Sequence, residues 1–432
     1  MNHKTKEAIY DAKELGTAKV VVLGLQHMFA MFGATVLVPL LTGMDVSTTL
    51  LFAGVGTLLF HFITKNKVPA FLGSSFAFLG GYAAIAPILE DGSSNVAMLP
   101  YACFGVACAG LLYLVMAALI KVFSAKKIMK YFPPIVTGPI IIAIGLTLSK
   151  SAIDSCTSNW IVALAAIAVV IVCNIYGKGM IKIVPILIGV VVSYVVGTAM
   201  GEVDFTAVKE AAWIGLPIKK EMTVLGLFGE NFDPAMLITS IITIMPIALA
   251  TIVEHIGDIS AISSTTGVSY MKEPGLHRTL LGDGIATIVA SLFGAPANTT
   301  YGENTGVLNL SKVYDPFVVR LAAMFAIFFS FCPKFAAVIQ AMPTATVGGI
   351  SLILYGMISA VGVRNIVETQ VDFTKSRNVI IAALILVLSI GVNYSTAGSI
   401  AFQIGSVTIS LSGLAVGALA GILLNAILPD EE

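Results

Sequence analysis

The stretch IALATIVEHIGD (residues 247–258) sets a glutamate, Glu254, and an aspartate, Asp258, into sequence that otherwise reads as membrane interior. A second stretch, NTTYGEN (298–304), does the same with Glu303. An acidic side chain in the middle of a bilayer costs about 2.5–3.5 kcal/mol on insertion scales, and more on an isolated helix. Acids so placed face a protein-lined cavity and bind or carry something. A transport site is the first expectation.

Outward from these two stretches the chain keeps the same character. It is 57% hydrophobic and 11% charged, whereas soluble proteins are about 25% charged. A net charge of zero over 432 residues excludes the basic footprint of a nucleic-acid binder. Apolar runs near the roughly 20 residues that cross a bilayer fall at 20–43, 46–64, 68–87, 98–123, 128–149, 158–176, 182–200, 235–258, 279–294, 299–311, 316–340, 343–362, 378–395 and 406–428. Two of them are short or broken: 68–87, near PAFLGSS, and the run around Pro296–Glu303. Cys103, Cys108, Cys156, Cys173 and Cys332 form no CxxC pair and no metal-ligand spacing, so they read as packing residues, with no metal or cofactor implied. Residues 1–19 are polar and lack the apolar core of a signal peptide, which makes them a cytoplasmic leader.

Loop charge orients these spans. With the amino terminus inside, every second loop collects Lys and Arg, 18 of the 24 in all; only Lys150, Lys209, Lys219, Lys220, Arg320 and Lys334 fall elsewhere. Both termini are therefore expected in the cytoplasm, in a multi-pass protein of the plasma (inner) membrane. Residues 201–234 are the one long external connection, with the mixed charge of a small solvated cap. An internal echo pairs the broken segments: proline, a short apolar stretch, a Ser/Thr pair and a helix start recur at Pro69–Ser75 and Pro296–Thr300. Interrupted segments in corresponding halves point to a transporter site, because helix starts near the midplane leave backbone N–H groups free.

These residues suit a planar ring that offers alternating C=O and N–H groups. Glu254 and Glu303 accept from ring N–H, the backbone after Ser75 and at Gly302 donates to ring carbonyls, and Phe76 or Tyr301 covers the ring face. Glu254 and Asp258 lie one turn apart on one helix face. Two close carboxyls in low dielectric hold one proton between them, which suits a proton carrier. Other readings stand beside these. Thr300 and Glu303 fit a capping box, His255 fits a packed polar residue facing another helix, and His27 an interhelical hydrogen bond. Asp283 fits a structural partner for Arg278, and Tyr355 an anchor of helix packing. The motif EHxxD would also suit a membrane metalloenzyme, but HExxH and a complete ligand set are missing.

The blocks LQHMFAMFGATVLVP (25–39), AFLGSSFAF (70–78), EHIGD (254–258), EPGLHR (273–278), NTTYGEN (298–304) and SLILYG (351–356) resemble those of the nucleobase–ascorbate transporters, also called nucleobase–cation symporters, and within them the uracil permeases. The resemblance runs from about residue 20 to 428. It implies an all-α polytopic membrane protein with about 14 transmembrane segments in two inverted repeats of seven, and short antiparallel strands in segments 3 and 10. It also implies a core domain (20–124 and 235–340), a gate domain (125–200 and 341–432, with the C-terminal tail), the 201–234 connection between halves, and a homodimer. Carried over residue by residue, Glu254 and Glu303 meet the substrate ring, Gly302 and Phe76 add main-chain contacts, and Tyr301, Ser351 and Tyr355 belong to the substrate or proton network. His27, His255 and Ser75 are further candidates. Asp258 stands where uracil permeases carry a histidine and looks like the purine- and ascorbate-transporting branch, whereas NTTYGEN looks like the uracil branch. The implied function is proton-coupled import of uracil by alternating access, not an enzyme activity. A xanthine or uric acid transporter and a sodium-coupled carrier are the alternatives.

Overall fold

Proline, glycine and short capping side chains decide where this apolar chain starts and breaks its helices. The computed structural model describes residues 8–89, 93–228, 232–404 and 407–429, so part of the leader and the last residues of the tail lie outside the described residues. Asp45, Asn159, Asp233 and Asp315 each turn a side-chain oxygen onto the first amides of a helix, satisfying donors that have no partner within it. Pro234 and Pro316 follow two of these caps at the first helical position, where a missing N–H costs nothing.

Helices Thr17–Thr42, Val46–Ile63, Leu99–Phe123, Thr344–Glu368 and Ser376–Asn393, with the composite spans Pro134–Cys156 and Pro234–Thr266, are long and apolar enough to cross a membrane. That makes seven among the described residues, or eight if the pair Pro316–Ser330 and Pro333–Gln340, bent by 89°, is one span. Shorter apolar helices cover Trp160–Tyr176, Pro185–Ala199 and Gly413–Ile427. The protein is a mostly helical, multi-pass membrane protein. Close helix packing uses small residues, as expected where lipid gives no hydrophobic drive for association. Leu99–Phe123 lies along Leu276–Leu292 with Gly110 against Gly284, and Pro134–Thr147 along Thr344–Glu368 with Gly138 against Gly362.

Both broken segments do contain a strand. β1 (Leu72–Ser74) pairs antiparallel with β2 (Asn298–Thr300), with Leu72 opposite Thr300 and Ser74 opposite Asn298. Extended backbone inside a bilayer must find every partner within the protein. Here Ser75 N–H donates to the Ala297 carbonyl at 2.8 Å and Tyr301 N–H to that of Phe71 at 3.0 Å. Side chains of neighbouring helices complete the pairing. Thr57 Oγ1 accepts from Leu72 N–H at 2.9 Å and donates to the Leu72 carbonyl at 3.2 Å. Ser74 Oγ donates to the Thr35 carbonyl at 3.1 Å, and Ala297 N–H to the Tyr82 hydroxyl at 3.1 Å.

Gly73 is glycine because nothing larger fits. A Cβ there would strike the Tyr301 ring and lie 2.7 Å from Thr35 Oγ1. Gly73→Ala is therefore expected to lower the melting temperature of the purified protein, with overpacking of about 1–3 kcal/mol. An unchanged melt would show that the ladder has room to shift.

One expectation fails at the carboxyl-terminal end. The apolar run 406–428 reads as a span, yet its first part is a strand and the helix begins only at Gly413. β3 (Ser399–Ile404) and β4 (Val407–Ser412) form a second antiparallel pair, so strands are not confined to the two broken segments. The cause is visible in VTISLS, which alternates apolar and polar residues with period two, and in SIAFQI, which keeps Ile400, Phe402 and Ile404 on one face. A window average hides that alternation. β4 packs on the helix Pro234–Ile244.

Candidate functional site

Antiparallel pairing sends the chain out of β1 and β2 in opposite directions. The segment holding Ser75 and Phe76 leaves one end of the ladder and the helix Gly302–Ser311 leaves the other, about 7 Å away along the strands. The helix Ala248–Thr266 runs past this junction and carries the three polar residues of EHIGD.

Those three residues divide between two faces. Glu254 and Asp258 are half-buried, while His255 is fully buried among Val253, Ile256 and Ile259. Asp258 Oδ2 accepts the Thr300 hydroxyl at 2.8 Å, and its other oxygen lies 3.8 Å from where a Cβ on Gly302 would sit. The aspartate thereby ties the EHIGD helix to the start of the helix after β2. The capping-box reading is corrected by the same contact: Tyr301, not Thr300, precedes that helix and makes no side-chain cap, while the Thr300 hydroxyl is committed to Asp258. Glu303 belongs to the first turn of the Gly302–Ser311 helix; its side chain lies outside what is described.

His255 lies about 100° around the helix from Glu254. Its Nδ1 lies 2.7 Å from Asp283 Oδ2 on the helix Leu276–Leu292, and both side chains are wholly buried. The Phe60 ring stands edge-on to the imidazole, with centroids 6.3 Å apart. The reading of His255 as a polar residue packed on another helix holds. The expected Asp283–Arg278 pairing does not. Arg278 donates instead to the Ile63 carbonyl at 2.9 Å, because its long side chain reaches the carboxyl-terminal end of a neighbouring helix, whose last carbonyls lack partners within it.

His27 also acts between helices, as its interhelical reading expects. Asn304 Nδ2 donates to the His27 carbonyl at 3.0 Å and lies 3.1 Å from its Nδ1. The Tyr301 hydroxyl donates to the Ser74 carbonyl at 2.8 Å, locking one strand to the other. Phe76 meets Tyr355 edge to face, with ring centroids 5.6 Å apart at 77°. Ser351 lies one turn before Tyr355 on the helix Thr344–Glu368, and both are buried. Ser75 is buried as well, its hydroxyl without a partner among the described residues. A cavity of about 190 Å³ opens beside this junction, lined by Ala77, Leu79, Ile144, Leu148, Ile247 and Asn393 among others. Ala77 follows Phe76, and Ile247 stands two turns before Glu254.

Three contributors escaped the sequence reading: Thr300 as the partner of Asp258, Asn304 as the partner of His27, and Tyr82, which supports Ala297. Thr300 and Asn304 flank Glu303 in NTTYGEN, and polar residues beside an intramembrane acid were the available signal. Tyr82 gave none, because its contact spans 215 residues.

Comparison with known proteins places this geometry. A permease-family model matches residues 18–398. The uracil permease of Bacillus caldolyticus is 41% identical over 424 residues, covering 95% of this chain and 92% of that protein. The uracil permease of Escherichia coli K12 is 35% identical over 434 residues, covering 98% and 94%. Among solved structures, the transmembrane domain of the cyanobacterial bicarbonate transporter BicA superposes with a TM-score of 0.62 at 15% identity, over 97% of this chain and 99% of that one. The murine anion transporter Slc26a9 in its inward-facing state gives 0.64 at 12%, over 98% and 73%. At such identities these two structures share the fold alone. Matched by the family model over most of its length and by these permeases over nearly all of it, the chain belongs to the permease family.

Proposed function

We propose that this protein imports uracil together with a proton, by alternating access between a core and a gate domain. The observation that carries the reading is the junction at Asp258 and Thr300, which joins the EHIGD helix to the NTTYGEN segment beside Phe76 and Tyr355. The uracil permeases at 35–41% identity support the substrate.

Uracil is a planar ring that alternates N–H donors with carbonyl acceptors. Glu254 and Glu303 accept from the N–H groups, and charge-assisted bonds of this kind are roughly twice as strong as neutral ones. Main-chain N–H groups at Gly302 and Phe76 donate to the carbonyls. Asp258 or Glu254 carries the proton, with Tyr355 and Ser351 as its relay. One charge moving through about 100 mV releases roughly 2.3 kcal/mol, enough for about fifty-fold accumulation. In this reading the chain crosses the plasma membrane about 14 times in two inverted repeats of seven, with both termini in the cytoplasm. The core holds 20–124 and 235–340, the gate holds 125–200 and 341–432, and two copies associate.

Uptake of labelled uracil into proteoliposomes tests the reading. An inward proton gradient is expected to drive accumulation that unlabelled xanthine does not compete away. Xanthine competition would make the substrate a purine and Asp258 the truer guide. Uptake driven by sodium and indifferent to the proton gradient would overturn the coupling.

A further inference from the structure

The long connection between the halves, read from its charges as a solvated cap, carries a contiguous apolar face. Trp213 is 72% exposed, Ile214 84% and Leu216 87%. This is not a loose loop, because its backbone is held on both sides. Lys334 N–H donates to the Ala212 carbonyl and Gly215 N–H to that of Phe331, each at 3.0 Å. Thr48 donates to the Pro217 carbonyl at 2.6 Å, and Lys219 pairs with the buried Asp45 at 2.9 Å. Gly215 allows the close approach, since a Cβ there would lie 2.6 Å from the Pro333 ring. A fixed backbone that turns Trp213, Ile214 and Leu216 outward presents a surface built for a partner.

We propose that residues 212–218 form an interfacial anchor, in which Trp213, Ile214 and Leu216 sit in the lipid at this end of the helical bundle. Three observations select lipid as the occupant. The patch is continuous with the exposed apolar surface of a helix: it sits on the end of Pro316–Ser330, whose Phe328 is 74% exposed, through the bond from Gly215 to Phe331. The helix Pro333–Gln340 leaves that span at 89°, so if the span crosses the membrane it runs along the surface and sets the connection at headgroup level. The Lys334 ammonium stands 5.2 Å from the centre of the Trp213 ring. An indole with its apolar body in the acyl region and a lysine whose head reaches toward water are the side chains this boundary favours.

The chain has two tryptophans, Trp160 and Trp213, so Trp160→Phe leaves Trp213 as sole reporter; Trp160→Tyr serves if the first variant folds poorly. The full-length variant is reconstituted at a lipid ratio leaving most vesicles with one copy or none. Trp213 emission is then read with brominated phosphatidylcholine and with iodide on both sides of the membrane. The anchor predicts loss of most emission to the brominated lipid, a blue-shifted maximum and little quenching by iodide. Quenching by iodide and not by bromine would place the patch in water and overturn the proposal. Protection from both would mean that protein covers it, a second copy included, and would overturn it equally.

Discussion

In a Glu254→Gln variant, uracil binding is expected to weaken by about a hundredfold while the protein still folds. In the proposed binding mode the carboxylate accepts hydrogen bonds from the ring with full charge. The amide accepts with none and turns an NH₂ donor toward ring donors. Losing a charge-assisted hydrogen bond costs about 1.5–3 kcal/mol, and tenfold in Kd corresponds to about 1.4 kcal/mol. Folding is spared because Glu254 is half-buried and lies about 100° around the helix from the packed His255. Equilibrium binding of labelled uracil to the purified protein, beside its melting curve, checks both halves. An unchanged Kd would remove Glu254 from the site.

The largest loss of stability is expected from His255→Ala. Asp283 is wholly buried and His255 is the partner at 2.7 Å. Truncating one member of a buried pair leaves the other uncompensated, at a cost of about 3–5 kcal/mol. Replacing both members by apolar groups is often nearly neutral, because no buried charge is stranded. The variant His255→Leu with Asp283→Leu is therefore expected to melt closer to the parent than His255→Ala does. Melting curves of the three proteins in one detergent decide it. A single variant as stable as the parent would mean that Asp283 finds another partner or water.

These two acids mark the boundary of what the sequence discloses. Glu254 and Asp258 were legible as neighbours on one helix face, because a spacing of four residues fixes their direction. The broken segments were legible because Pro69 and Pro296 interrupt otherwise apolar runs. Partners distant in the chain were not. Charge suggested Arg278 for Asp283, five residues away, yet the neighbouring helix Ala248–Thr266 supplies His255. The β3–β4 pair was hidden for a different reason: β4 is apolar enough on average to pass as the start of a span, and β3 falls in the gap before it. Exposure in the 201–234 connection was likewise invisible, since composition does not say which side chains a pinned backbone turns outward.

The β1–β2 ladder also sets a schedule for biosynthesis. Ser74 and Tyr301, which close it, are 227 residues apart. At about 5–20 residues per second, the first strand waits roughly 10–45 s for its partner to emerge. During that interval the Ser75 amide and the Phe71 carbonyl lack their partners at Ala297 and Tyr301, and they cannot rest in hydrocarbon unpaired. The nascent first half must therefore hold this segment against the translocon, a chaperone or water, and complete it only when the second half arrives. A chain truncated before Asn298 would keep several of its helices and still lack the centre around which they are arranged.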